Sequence, residues 1–273
     1  MYINQLKDLW IKTFGDSKEY VDSFFDNFYD EKHILTYVEN EIVISALYMV
    51  PYDMIYEGRK YKVMYLYALA TLEKYRGKGI MGSLIEKAHV FLDKNGFAAS
   101  FLIPASDSLY DYYKKYGYSY LIKRKEIEIS CKKAGIEYKV TEIKNIRNFK
   151  LTNFEKFNIN RIILSDKQND FMCVTYLKEG GKILYFEDLN GYVLFSKEND
   201  MAVIYSTNLI YQKILEISNV FYKEYGCKKL IIENSFESSE EFKEYNAGLF
   251  RINDKILLNG FNSEKVYVDR ILM

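Results

Sequence analysis

Leu6, Trp10 and Phe14 recur at helical spacing at the start of the chain, in a run that stops at Gly15. Asp16-Ser17-Lys18-Glu19 reads as an N-cap at Asp16 with a carboxylate three residues on, predicting a helix to about Tyr29. The period then shortens to two. Residues 34–38 and 42–50 read as strands about a Glu39-Asn40-Glu41 turn, with Pro51 interrupting the second, and Glu57-Gly58-Arg59 leads into a long aromatic strand over 61–72. A glycine-rich turn then opens a helix over about 80–95, closed by Gly96. Residues 97–103 form a buried strand ended by Pro104, a helix spans about 107–115, and Gly117 leads into a strand over 118–129. Two helices, an antiparallel series, then strand–helix–strand–helix–strand predict an α/β fold with a mixed sheet and helices on both faces.

The pattern breaks at 131–139, where Lys-Lys-Ala-Gly marks the expected linker between a domain over 1–130 and another over 140–273. The second half resembles a worn copy of the first. Tyr37–Leu47 aligns with Tyr185–Phe195 148 residues on, and Asn95–Ile103 with Tyr225–Glu233 130 residues on. The difference is about the size of the hairpin between Val50 and Val63, which the second half would lack. Duplication and a chance likeness of βαβ units both remain readings of these two matches.

Length and composition narrow the classes. At 273 residues and about 150 per domain, one large or two ordinary domains are expected. With 38 basic and 38 acidic residues, no net field draws the chain to nucleic acid or an anionic membrane. No run reaches the length of a membrane span and the N-terminus does not read as a signal peptide, so neither partner is expected. Cys131, Cys173 and Cys227 lie far apart, as suits a reducing cytoplasm, and with two histidines no zinc site is expected. The 27 Tyr and 18 Phe against one Trp read as a codon-usage skew, with an aromatic ligand cleft as the alternative.

The chemistry concentrates in residues 65–83. A long strand runs into Arg76-Gly77-Lys78-Gly79-Ile80-Met81-Gly82, which opens directly onto a helix. Glycines let the backbone bend and bring its N–H groups close to an anion; the helix dipole adds to them, and Arg76 and Lys78 supply charge. Gly77, Gly79 and Gly82 superficially fit a dinucleotide fingerprint, but the carboxylate wanted after the next strand is absent from 97–103. An ordinary strand–helix turn without ligand is the bland reading.

These residues resemble the signature of the GCN5-related N-acetyltransferases, Arg/Gln-x-x-Gly-x-Gly/Ala, after a typical Glu-x-Tyr run. The sixth position is Met81, with Gly82 one place late, a departure that resembles the enhanced-intracellular-survival type. Leu109–Tyr118 is similar to the family's Phe-Tyr-x-x-x-Gly-Phe segment, and Ser106 stands where many members carry Asn. The resemblance covers about 1–130 and is suggestive beyond. It implies an acetyl-CoA-dependent transferase of tandem fold whose second domain is degenerate, acting on a small-molecule primary amine. A protein or peptide N-terminus as acceptor, and an acetyl-CoA-binding module without turnover, are the alternatives. Assembly of several copies is compatible with all three.

The resemblance also implies roles. Leu69, Ala70 and Thr71 would pair with pantetheine; Arg76, Gly77, Lys78, Gly79, Ile80, Met81, Gly82 and Ser106 would hold the rest of the cofactor; and Tyr113 would protonate the leaving thiolate. No base stands out. Glu73, Asp107, Tyr65 and Tyr67 lie near the right elements, each with a structural or solvated role as default; Tyr112 and Tyr116 read as facing core or solvent, and His33 and His89 as structural. At the 130 offset the turn becomes Ser206-Thr207-Asn208-Leu209, which offers no anion cradle. Gly248–Ile252 resembles the start of the relatives' third, sterol-carrier-like domain, whose C-terminal carboxylate serves as base there; without a full domain, that role is not expected for Met273.

Overall fold

The computed structural model describes residues 2–146, 157–233, 235–237 and 241–269, so Met273 lies outside the described residues. The order is α1 (Ile3–Phe14), α2 (Lys18–Phe28), β1 (Ile34–Glu39), β2 (Ile42–Tyr56), β3 (Arg59–Thr71), α3 (Ile80–Lys94), β4 (Ala99–Leu102), α4 (Ser108–Lys114) and β5 (Tyr120–Ser130). There follow β6 (Val140–Glu142), β7 (Asn160–Ile163), α5 (Asp166–Lys178), β8 (Lys182–Phe186), β9 (Gly191–Glu198), β10 (Met201–Thr207), α6 (Tyr211–Tyr225), β11 (Lys229–Ile232), β12 (Lys243–Ile252), α7 (Lys255–Leu258) and β13 (Val266–Tyr267). Among the described residues no helix is long and apolar enough to cross a membrane.

The chain forms two compact units, each drawn from three separate stretches of the sequence. One holds Met1–Met54, Arg59–Ile122 and Ala247–Ser263; the other holds Ile55–Gly58, Lys123–Asn246 and Glu264–Met273. The expected division placed a single linker at 131–139. That segment belongs to the second unit, where Cys131 N–H donates to Lys228 O at 2.8 Å.

In the first unit the strands neighbour one another in the order β1-β2-β3-β4-β12. The aromatic residues explain why α1 and α2 seat on this sheet. Trp10, 1% exposed, has the rings of Phe24, Tyr48 and Tyr67 at 4.7, 4.9 and 5.1 Å, so the tyrosine and phenylalanine excess fills a core here. The α2 cap is Ser17, which accepts from Tyr20 N–H at 3.1 Å, and not Asp16. Asp16 instead accepts from the Trp10 indole at 2.7 Å. Pro51 does not interrupt β2; it lies past Ile34↔Tyr48, where β1 ends, so its missing N–H costs that ladder nothing. Gly248–Ile252 is part of β12, paired with β4 through Leu249↔Leu102 to Ile252↔Ala99. A Cβ at Gly248 would stand 2.7 Å from Leu102 O, so only glycine lets these backbones approach so closely.

The second unit repeats the plan. Its strands run β5-β11-β10-β9-β8-β6, with β11 and β10 parallel about α6 as β4 and β3 are about α3. The two sequence offsets fall on equivalent elements, β1 against β8 and β4 against β11. Both long strands are irregular near their ends: Ala68 in β3 has φ 47°, and the β9–β10 register shifts between Ile204 and Ser206. The fold is a mixed α/β tandem of two like halves.

A candidate acyl-transfer site at the end of β3

What opens the site is the parting of β3 from β4. Their register runs from Val63↔Ala99 to Tyr65↔Phe101, while β3 continues to Thr71 with the left-handed Ala68 in between. The helix α3 is capped by Gly79, whose φ of 76° follows the φ of 75° at Gly77. Two left-handed residues in three bend the chain so that successive N–H groups face one side. Among the described residues no group accepts from the N–H groups of 77–82, and Ser83 N–H, bonded to Gly79 O at 3.1 Å, is the first to close the helix. A Cβ at Gly77 or Gly79 would meet nothing within 4 Å, so these donors border open space.

That space is a cavity of about 570 Å³. Of the anticipated residues, Leu69 and Thr71 line it from β3, Arg76, Gly77 and Gly79 from the turn, Ile80 and Met81 from α3, and Tyr113 from α4. The other four stand elsewhere. Ala70 is buried and its carbonyl accepts from Ser45 Oγ at 2.9 Å. The Lys78 ammonium lies 4.7 Å from the Tyr75 ring centroid. Ser106 is exposed, its hydroxyl 3.0 Å from that of Ser108. Gly82 serves packing: a Cβ there would overlap the Tyr116 hydroxyl, so the late glycine makes room for Tyr116 while Met81 turns to the cavity. Arg76 is partly engaged, its Nε donating to Thr71 O at 3.1 Å.

Tyr113 is buried yet lines the cavity, and among the described residues its hydroxyl has no hydrogen-bond partner; burial pushes its pKa up to about 12. It therefore stays protonated at neutral pH. Tyr112, read as facing core or solvent, lines the cavity too, with its pKa raised by burial and by a hydrogen bond to Tyr116. Sequence reasoning also missed Thr13 and Phe14, which close the cavity from the last turn of α1. The signal was available in Phe14, a large ring 39% exposed beside Gly15, but a helical apolar stripe reads first as core. Glu73 and Asp107 are exposed and do not line the cavity, Tyr65 stacks on Phe101 at 4.9 Å, and the Tyr67 hydroxyl is 2.8 Å from that of Tyr20.

His89 sits mid-α3 with its buried Nε2 unpartnered among the described residues; burial, then the charge of Arg251, lowers its pKa to about 4. The folded chain thus binds fewer protons than the unfolded one between about pH 6.5 and 4. This contribution to stability is full above pH 6.5 and is lost as pH falls through that window. Urea melts at pH 7 and 4.5 should show a smaller acid loss for His89→Gln than for wild type.

The corresponding turn of the second unit is filled by its own side chains. Asn208 Oδ1 accepts from Tyr192 N–H at 2.8 Å, Thr207 Oγ1 accepts from Leu209 N–H at 3.0 Å, and a Cβ on Gly191 would overlap Leu209. At the start of α6 a Glu237 carboxylate accepts from Tyr211 N–H. A side-chain anion holds the helix end that the first unit leaves open.

Residues 1–121 match the family model described as acetyltransferase (GNAT) domain. The first unit carries a GNAT acetyltransferase domain. Solved structures extend the likeness in fold over nearly the whole chain. A probable N-acyltransferase from Enterococcus faecalis V583 superposes with a TM-score of 0.75 at 15% identity, over 93% of this chain and 70% of that one. A GCN5-related N-acetyltransferase from Kribbella flavida gives 0.72 at 14% identity, over 93% and 69%. Eis1 from Mycobacterium abscessus gives 0.62 at 8% identity, over 86% and 70%. No curated protein matches the chain at a significant level. In this GNAT domain the parted strand, the glycine turn and Tyr113 border one cavity.

Proposed function

We propose that the chain is an acetyl-CoA-dependent N-acetyltransferase acting on a primary amine of a small molecule. The observation that carries the reading is the run of unpaired N–H groups at 77–82 opening onto the cavity that Tyr113 also lines. Those donors and Arg76 fit a pyrophosphate, and the end of β3 beyond Tyr65 offers unpaired backbone to an extended pantetheine-like chain. Acetyl-CoA supplies the acetyl group as a thioester, which the neutral amine attacks directly. Tyr113 donates its hydroxyl hydrogen bond to the sulfur as the C–S bond breaks. A thiol near 8.5 is more acidic than Tyr113, so the proton that finally stays on sulfur is the one the amine loses, relayed through Tyr113. The unpaired state of all three cysteines accords with a reducing cytoplasm.

Thiol release from acetyl-CoA over a panel of small amines and short peptides tests this reading. Amine-dependent release is expected; release that no amine or peptide stimulates, with CoA still bound, would leave a binding module. CoA should titrate to one equivalent per chain by calorimetry, because the second turn is filled by Thr207, Asn208 and Leu209. Two equal sites would overturn the assignment of the second unit as degenerate.

A further inference from the structure

The cavity beside Tyr113 has a wall on each face of the first unit's sheet. Side chains alternate along β2 and β3: Leu47, Met49, Met64 and Leu66 pack with α3 and α4, whereas Tyr48 and Tyr67 turn the other way onto Trp10 of α1. Met81, Leu109 and Tyr113 line the cavity from the α3 and α4 face. Thr13 and Phe14 line it from the α1 face, where β3 has left β4. The unpaired N–H groups of the glycine turn lead into α3 and belong to the first of these faces. A cofactor held there leaves the α1 wall to the acceptor.

That wall is an aromatic ring. Phe14 is 39% exposed at the end of its helix and stands edge-on to Trp10, the ring centroids 6.4 Å apart, which steadies it at the border of the cavity. The hydroxyl of its neighbour Thr13 is tied to Leu9 O at 2.7 Å. A ring face attracts a cation, yet an ammonium held there has its lone pair bonded to hydrogen and cannot attack a thioester. The three tyrosines of the lining, Tyr75, Tyr112 and Tyr113, all have raised pKa values and stay protonated at neutral pH, so none takes that proton. Among the described residues the charged side chain of the lining is Arg76, which opposes a second cation. These walls suit an amine that arrives neutral and carries a flat apolar body. An aromatic amine has both properties, because its nitrogen shares the lone pair with the ring and is unprotonated at pH 7.

We propose that the acceptor is an aromatic amine, with the amino group borne directly on the ring, and that Phe14 selects it by stacking. This rests on the acetyl-transfer reading and narrows its substrate class. The amine nitrogen forms a bond to the acetyl carbonyl carbon and the C–S bond breaks. The proton that leaves nitrogen passes through Tyr113 to the sulfur, so the products are an anilide and free CoA thiol.

Aniline and cyclohexylamine are the probes, since they match in size and differ in ring and in charge at pH 7. Thiol release from acetyl-CoA by the full chain should give aniline a kcat/KM at least about tenfold that of cyclohexylamine. Phe14→Ala should raise the KM for aniline about tenfold with kcat changed less than about threefold, while CoA affinity by calorimetry stays the same. Phe14→Tyr, which keeps the ring, should retain the wild-type KM within about threefold. Should Phe14→Ala not fold, Phe14→Leu removes the ring and keeps apolar volume, and a KM rise of about threefold or more decides. The inference falls if cyclohexylamine is acetylated as well as aniline, or if the variant without the ring keeps the wild-type KM for aniline. It falls too if that variant loses CoA affinity by the same factor, which would give the ring to the cofactor. Turnover of other amines without aniline overturns it while the transfer reading stands. If no amine stimulates release, the transfer reading itself fails and takes this inference with it.

Discussion

Tyr113→Phe should slow the single-turnover transfer of acetyl by about 10²–10⁴-fold, the usual worth of a positioned acid, and leave CoA affinity nearly intact. The ring fills its place in the core cluster with Leu84, Tyr118 and Leu249, and phenylalanine keeps that packing. Only the hydroxyl goes, and among the described residues it supports no other group. Single turnover is the proper measure, because slow product release would hide a chemical defect in kcat. Tyr116→Phe is one control: Tyr116 packs over Gly82 and does not line the cavity, and its hydroxyl reaches the site only through its hydrogen bond with Tyr112. Tyr112→Phe is a weaker control, since that residue lines the cavity, but its hydroxyl is engaged with Tyr116 and a loss of less than about tenfold is expected. A Tyr113→Phe protein with the wild-type single-turnover rate would place the proton relay in water. A large loss at Tyr112 instead would shift the assignment by one residue.

Local pattern made most of the first unit legible. The helical stripe from Leu6 to Phe14, the alternation around the Glu39-Asn40-Glu41 turn and the Arg76–Gly79 turn each encode their own geometry within a few residues, and each element stands where its pattern put it. What the pattern could not carry was long-range. Nothing local in Gly248–Ile252 says that it pairs with residues about 150 positions earlier, and nothing in Lys123–Ser130 says that the strand ends against β11. The cavity shows the same divide. Gly79 declares itself by type and spacing, whereas Phe14 and Tyr112 line the cavity only because α1 and α4 converge there. Gly82 is expected in the cradle although it stands one place late for the signature, and only the Tyr116 hydroxyl above it reveals a packing role.

Gly79→Val should weaken CoA binding by about tenfold to a hundredfold without abolishing the fold. Open space around this glycine means that a side chain meets no protein atom, so steric clash within the chain is not the cause. The cause is backbone: a β-branched residue at φ 76° costs about 1–3 kcal/mol, and the turn relieves that cost by rotating away from the left-handed region. Rotation swings the N–H groups of Ile80 and Met81 off the cavity and separates them from the helix-dipole end they reinforce. A branched side chain also enters the space that those donors border. Strain and lost affinity can be told apart. Gly77→Ala and Gly79→Ala carry similar strain with a single methyl group, so they should lower the melting temperature by a like amount while costing less affinity than valine. Calorimetric titration of CoA at fixed salt, beside thermal melts of all three variants, gives both numbers. If a folded Gly79→Val chain binds CoA as wild type does, the turn is an ordinary strand–helix connection, and the anion must be held elsewhere in the cavity.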